Sequence, residues 1–166
     1  MAIPGLDVGR GTEADLDGIM ELQSANQLER GGMLSAALSR SQVAEMVRVR
    51  PLIVARRSGR IIAFLMNGTR EMNDHVPIIR AMLDAYRGSA DAYVYGPVCV
   101  TEEERGKGLA QAMFTELRRL ERGREGVLFI RRDNSASLRA HTKMGMREVA
   151  DFVFDGIDHV VLSYIG

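Results

Sequence analysis

The chain has a single cysteine, Cys99, among its 166 residues. That excludes an intrachain disulfide and a cysteine-based zinc site. His75 and His159 have no metal-ligand spacing with carboxylates or with each other, so they read as surface or capping residues and no metal site is expected. Long apolar runs are also missing. The longest, Ile61 to Met66, is far too short to cross a bilayer, so no membrane partner is expected. The opening Met1-Ala-Ile-Pro-Gly-Leu-Asp7 lacks the basic and apolar stretches of a secretory signal. The expected compartment is the cytoplasm. Net charge is zero, with 22 basic and 22 acidic residues, which argues against a general nucleic-acid binder.

What is present is an ordinary globular balance of 46% hydrophobic and 27% charged residues. The length suits one domain over 1–166, able to bury roughly two thirds of its unfolded surface. The ten methionines scatter through the chain and read as core filler. Charge is uneven along it. Residues 105–147 carry eleven cations against four acids, while the tail from Glu148 carries four acids and no Lys or Arg. Such a block points to a local anionic ligand or to arginines on solvent-facing helix surfaces. It lacks interleaved aromatics, so no nucleic-acid partner is expected.

The spacing predicts a weak strand at Asp7–Arg10 and a helix opening at Glu13, where acids suit the dipole. Gly31-Gly32 breaks the chain, and a second helix runs from Leu34 to Val49, ended by Pro51. Leu52–Arg56 and Arg60–Met66 read as strands joined by a Ser58-Gly59 hairpin. Residues 75–86 look helical, with Pro77 in the first turn. The strand Ala92–Val100 contains Gly96-Pro97, which makes it an edge or a bulge. A helix follows with Leu109, Met113, Leu117 and Leu120 at helical spacing, then strand Gly126–Arg131, helix Ser135–Met144, and strands Glu148–Phe154 and His159–Tyr164. The order fits a mixed sheet flanked by helices.

The strongest feature is the turn Arg105-Gly106-Lys107-Gly108-Leu109-Ala110, where a strand runs into a helix. The first N–H groups of a helix have no internal partner, and the dipole adds positive charge there. Glycines let that backbone approach phosphate oxygens, and two cations flank it. No G-x-x-x-x-G-K-S/T or G-x-G-x-x-G occurs, since Gln111 stands where the third glycine would be.

Arg105-x-x-Gly108-x-Ala110 resembles the R/Q-x-x-G-x-G/A signature of the GNAT superfamily of acyl-CoA-dependent N-acyltransferases. Gly96-Pro97-Val98-Cys99-Val100 is similar to that family's bulged strand, and Arg10-Gly-Thr-Glu-Ala-Asp15 to its usual opening. The stretch from Asn134 through Ser137, His141, Lys143 and Gly145 to Met146 resembles its second cofactor motif, N-x-x-[AS]-x-x-x-[YH]-x-[KR]-x-G-[FM]. The resemblance implies an α/β fold with a central mixed, mostly antiparallel twisted sheet, splayed between the fourth and fifth strands. It implies acetyl-CoA as co-substrate, with its pantetheine arm along Val98-Cys99-Val100. Amides of Arg105, Gly106, Lys107, Gly108, Leu109 and Ala110 would hold the pyrophosphate. Asn134 would bond the arm or a phosphate, or simply cap the helix. Ser137 stands at the motif's small position, and Lys143 or Arg139 would reach the adenosine phosphates.

Many relatives have Tyr where this chain has His141. The resemblance gives His141 the role of acid toward the CoA thiolate, and an ordinary pKa near 6.5 suits that. Alternatively it packs on the pantetheine or caps a carbonyl. No base is singled out. Tyr93 and Tyr95 stand on the bulged strand, Asp91 precedes it, and Glu102, Glu103 and Glu104 follow it facing solvent. Glu21, Asn26 and Glu71 are candidates from other elements, and a water relay is compatible. Alternation turns Cys99 away from the face of Val98 and Val100, which favours direct transfer in a ternary complex over an acyl-enzyme. The implied function is acetyl transfer to a primary amine, the acceptor being a small molecule or peptide selected by residues 24–40 and 67–91. The alternative is a non-catalytic acyl-CoA-binding or sensing module. A homodimer is an expectation carried by the resemblance alone.

Overall fold

The computed structural model describes residues 5–27 and 37–166. Its strands are β1 (Leu6–Arg10), β2 (Ile53–Arg57), β3 (Arg60–Gly68), β4 (Tyr93–Val100), β5 (Glu125–Arg131), β6 (Arg147–Phe154) and β7 (Ile157–Ile165). Its helices are α1 (Leu16–Ala25), α2 (Arg40–Val49), α3 (Pro77–Ala85), α4 (Leu109–Leu120) and α5 (Ser135–Lys143). The strands follow the order β1-β2-β3-β4-β5-β7-β6. The pairs β1–β2, β2–β3, β5–β7 and β6–β7 are antiparallel, and β4–β5 is parallel. This is the mixed, mostly antiparallel sheet that the sequence implies. β4 has a neighbour on each side, so the edge-strand reading of Gly96-Pro97 is corrected. The distortion is local to the strand, where Gly96 has φ +103°.

The contacts group into two compact units. The first comprises residues up to Asn67 together with Gly96–Leu120. The Ser58-Gly59 hairpin forms as expected, with φ of 52° and 80°, the positive values that a two-residue turn of this hand requires. Helix α4 packs on β1 and β2, and Leu109, Met113, Phe114 and Leu117 are its fully buried residues. The chain at Glu13–Asp15 is a 3-10 turn and not yet α-helix. There the Asp15 carboxylate accepts from the Thr12 N–H at 2.8 Å and from Arg56 at 2.6 and 3.0 Å. Helix α2 starts at Arg40. Ser39 Oγ accepts from the Gln42 N–H, and the Gln42 side chain accepts from the Ser39 N–H at 2.8 Å, a reciprocal cap that a helix from Leu34 would not use. The Gly31-Gly32 break and residues 34–36 lie outside the described residues.

The second unit comprises Gly68–Tyr95 and Glu121–Gly166. Met82 of α3, Ala92, Val94 of β4, Val127 of β5 and Val161 of β7 form its buried apolar cluster. Its organising polar group is Glu125, only 4% exposed. Its carboxylate accepts from the Tyr86 hydroxyl at 2.6 Å, the Ser89 N–H at 2.6 Å, the Ser89 hydroxyl at 2.8 Å and the Ser163 hydroxyl. Arg70 donates to the carbonyls of Arg87, Ser89 and Ala90, and Arg124 to that of Asp91. Residues 86–91 are thus held by side chains, although they form no strand or helix. His159 is a correction to the sequence reading. It is buried, stacked on Phe152 with centroids 4.9 Å apart, and is not a surface residue.

Burial alone would raise the Glu125 pKa, but the four donors outweigh it and hold the carboxyl near about 2, against an ordinary 4.5. A folded value below the unfolded one stabilises the protein above pH 4.5, and that stability is lost as pH falls through about 2. The difference corresponds to roughly 3 kcal/mol. Glu125→Gln is expected to lower Tm by several degrees at pH 7, as each lost kcal/mol is worth about 2–4 °C here. Its Tm should also fall less steeply than the wild type's between pH 4.5 and pH 2, as followed by circular dichroism.

Candidate active site

In the first unit, β4 ends with Val98 and Val100 half-buried on one side and Cys99 buried on the other, as alternation requires. The Thr101 N–H donates to the Ile62 carbonyl at 2.8 Å, and a 3-10 turn at Glu102–Glu104 follows. Arg105 is extended, and Gly106 and Gly108 have φ of +76° and +81°. A side chain at either glycine would meet no atom within 4 Å, so it is the backbone conformation that calls for glycine there. The first bond into α4 runs from the Ala112 N–H to the Gly108 carbonyl at 3.0 Å. The N–H groups of Leu109, Ala110 and Gln111 therefore stand ahead of the helical ladder, where an anion is favoured.

The turn is braced from two sides. Arg105 donates through Nη2 to Asn26 Oδ1 at 2.7 Å and through Nε to the Val100 carbonyl at 3.2 Å. Asn26 is 7% exposed at the end of α1, and its own amide donates to the Leu22 carbonyl. Its partner is thus the glycine turn. The sequence offered Asn26 only as a base candidate, because a contact between residues 79 apart leaves no local signal. Glu104 is a second correction. It does not face solvent: Arg57 holds it through two 3.0 Å bonds, with Lys107 Nζ at 3.4 Å. The Arg57 hydrogen bond holds the Glu104 carboxyl below its usual range. Glu102, Glu103 and Glu21 are exposed, as are the flanking Arg105 and Lys107.

In the second unit, Asn134 caps α5, its Oδ1 accepting from the Ser137 N–H at 3.2 Å. His141 lies one turn on, 8% exposed. Its Nδ1 is 2.8 Å from the Ser137 carbonyl and 3.3 Å from Ser137 Oγ, and its Nε2 is 3.2 Å from the Tyr95 hydroxyl. Burial depresses the His141 pKa, and the Ser137 carbonyl opposes that in part. Burial also pushes the Tyr95 phenol far above its ordinary value. The Tyr93 and Tyr164 hydroxyls bond each other, and the Tyr95 and Tyr164 rings meet edge to face at 5.8 Å. Arg139 and Lys143 are exposed. Much of the basic block is neutralised locally, through Arg119–Glu116, Arg124–Glu121 and Arg131–Asp133.

A separate cleft of about 610 Å³ in this unit is lined by Arg70, Arg80, Arg87, Glu71, Asp74 and Asp84 among others. Its mixed charge gives it no preference for a polycation. Among the described residues no cluster of three or more His, Cys, Asp or Glu could hold a metal, and no helix is long and apolar enough to cross a membrane.

Burial pushes the Cys99 thiol up to about 11 despite the Arg105 charge. At 5% exposure it is expected to resist a disulfide reagent at pH 7.5 and to react fully, as one thiol per chain, once guanidinium unfolds the protein. Rapid labelling of the native protein would contradict this placement.

No protein-family model matches the chain, and no curated protein matches it. Solved structures do. An acetyltransferase of the GNAT family from Streptococcus agalactiae superposes with TM-score 0.73 at 16% identity, over 100% of this chain and 98% of that one. The Salmonella typhimurium protein yncA with its cofactor acetyl-CoA gives 0.66 at 18%, over 97% and 94%. Arabidopsis thaliana Naa50 in complex with the bisubstrate analogue CoA-Ac-MVNAL gives 0.69 at 11%, over 96% and 98%. The chain has the fold of the GNAT-family acetyltransferases.

Proposed function

We propose that the chain is a GNAT N-acetyltransferase, a single domain over 1–166 that moves an acetyl group from acetyl-CoA to a primary amine. The observation that carries this reading is the braced glycine turn. Gly106 and Gly108 hold positive φ, Arg105 is tied to Asn26, and the amides of Leu109, Ala110 and Gln111 precede the α4 ladder. That is a pyrophosphate site built from main chain. Full-length agreement with folds solved around acetyl-CoA and a CoA-peptide analogue supports it.

On this reading the pantetheine arm pairs with the backbone of Val98 and Val100. Within the second unit the parallel β4–β5 register pairs are Tyr93–Gly126 and Val94–Val127. A backbone N–H near Val98 stabilises the oxyanion. On α5 the candidate cofactor contacts are the amide nitrogen of Asn134, which keeps its cap, with Ser137, Lys143 and Arg139. Direct attack is favoured over an acyl-enzyme, because the one thiol is buried and its pKa raised. The acceptor is a small-molecule or peptide amine. The bisubstrate analogue held by one neighbour carries a peptide, which is consistent with that class.

Thermal unfolding with acetyl-CoA, CoA and ATP tests the reading. Ligand at 100 times its Kd adds about 2.7 kcal/mol, so both CoA species should raise Tm by several degrees and ATP should not. Thiol release with an amine panel then separates an enzyme from a non-catalytic acyl-CoA sensor. Gly108→Ala forces a Cβ into a left-handed backbone at a cost of about 1–2 kcal/mol. It should weaken acetyl-CoA about tenfold, and an unchanged acetyl-CoA shift would remove the turn from the cofactor site.

A further inference from the structure

We infer that Tyr95 and His141 form a proton-accepting pair, in which the Tyr95 hydroxyl passes a proton from the attacking amine to His141 Nε2. The inference rests on the acetyl-transfer reading and supplies the base that the sequence leaves unassigned. A carbonyl oxygen only accepts, so the 2.8 Å contact with Ser137 assigns the His141 proton to Nδ1. In the neutral ring Nε2 then carries a lone pair, and the hydroxyl 3.2 Å away donates to it. Tyr95 is 5% exposed and His141 8% exposed, so water does not compete freely for either atom.

Among the described residues the pair is neighboured by Tyr93 on β4 and Tyr164 on β7, with Glu121 acting on Tyr164 from beyond it. On α5 itself, the charged Arg139 and Lys143 are exposed. Nothing in this set favours an imidazolium, and burial disfavours it. His141 thus rests as the neutral ring, with no proton on the nitrogen that faces Tyr95. That state suits an acceptor first; the acid role that the family resemblance implies follows only once the ring has taken a proton.

The proton balance closes. The amine enters as its free base and attacks the acetyl carbonyl carbon. As the C–N bond forms, its N–H proton moves to Tyr95 Oη while the phenolic proton moves to His141 Nε2. The carbonyl re-forms, the C–S bond breaks, and the departing thiolate takes the proton back along the same path. One proton leaves nitrogen and one arrives on sulfur.

Tyr95→Phe and His141→Gln test the pair, by imidazole NMR and by kinetics. With three histidines in the chain, the His141 resonances can be assigned by substitution. The expected wild-type result is the Nδ1–H tautomer, with a titration midpoint below 6.5 that rises in Tyr95→Phe. Both variants should lose kcat by about 10²-fold or more while the acetyl-CoA KM stays within about threefold. The acidic limb of the wild-type rate profile should follow the NMR midpoint. Retention of the acetyl-CoA thermal shift in Tyr95→Phe shows that the variant is folded. An Nε2–H tautomer, or a Tyr95→Phe kcat within threefold of wild type from pH 6 to 9, overturns the pair. Wild type with neither acetyl-CoA shift nor turnover overturns the acetyl-transfer reading and the relay with it, and the NMR assignment of the tautomer distinguishes that outcome from a failure of the pair alone.

Discussion

A charge or polar group taken out of water must find partners inside the fold, and in this protein that constraint reaches from the framework into the chemistry. Glu125 shows it most fully. A carboxylate 4% exposed at the head of β5 would be untenable alone, so Tyr86, Ser89 and Ser163 turn their donors toward it. That requirement fixes where residues 86–91 run, and with them the approach to β4. The same constraint acts on His141. Its Nδ1 must donate somewhere in a dry setting and finds the Ser137 carbonyl, which leaves Nε2 only the role of acceptor toward Tyr95. The tautomer is therefore a by-product of packing before it is a feature of any reaction.

The first unit solves a different problem, which is to keep a turn rigid while leaving its N–H groups unspent. Side chains do the bracing. Arg105 reaches Asn26 and the Val100 carbonyl, and Glu104 is gripped by Arg57. The cations that the sequence suggests as phosphate partners are thus partly engaged within the protein, Arg105 above all, and the proposed anion site falls to the amides and the α4 dipole.

What could be read in advance follows from the range of each interaction. The Ser58-Gly59 hairpin, the α4 stripe and the glycine turn are written in contiguous residues, and the structure has them where the spacing puts them, except that Leu120 at the end of the stripe is exposed. The starts of α1, α3 and α5 lie within a turn of where the spacing puts them, whereas α2 starts at Arg40 and not at Leu34. Ser39–Gln42 carries the capping chemistry that starts α2 at Arg40, whereas the Thr12–Asp15 cap opens the 3-10 turn at Glu13 and α1 begins only after it. The contacts on which the proposed site rests join distant residues. Arg105 with Asn26, Tyr95 with His141, and the tyrosine hydroxyls of Tyr93 and Tyr164 are 79, 46 and 71 positions apart. No local pattern encodes them, because the fold brings them together. Pro97 leaves two readings open, an edge or a bulge, and the strand order removes the edge by making β4 interior.

The same division between backbone and side chain accounts for a likeness in fold that survives at 11 to 18% identity. A site made of main-chain N–H groups constrains few residue identities. It needs backbone conformations, and here Gly106 and Gly108 supply the left-handed ones. Most other positions of the turn answer only to local bracing, which different side chains could provide. Proton transfer is stricter, because it needs specific atoms at hydrogen-bond distance. The proposed relay uses two side chains from separate elements, Tyr95 on β4 and His141 on α5, each held by burial and by the other. Divergence among proteins of this fold should therefore fall hardest on the proton path and the acceptor contacts, while the strand, turn and helix of the proposed pyrophosphate site keep their geometry. A chain that no family model matches can on this account still keep the backbone form of that turn.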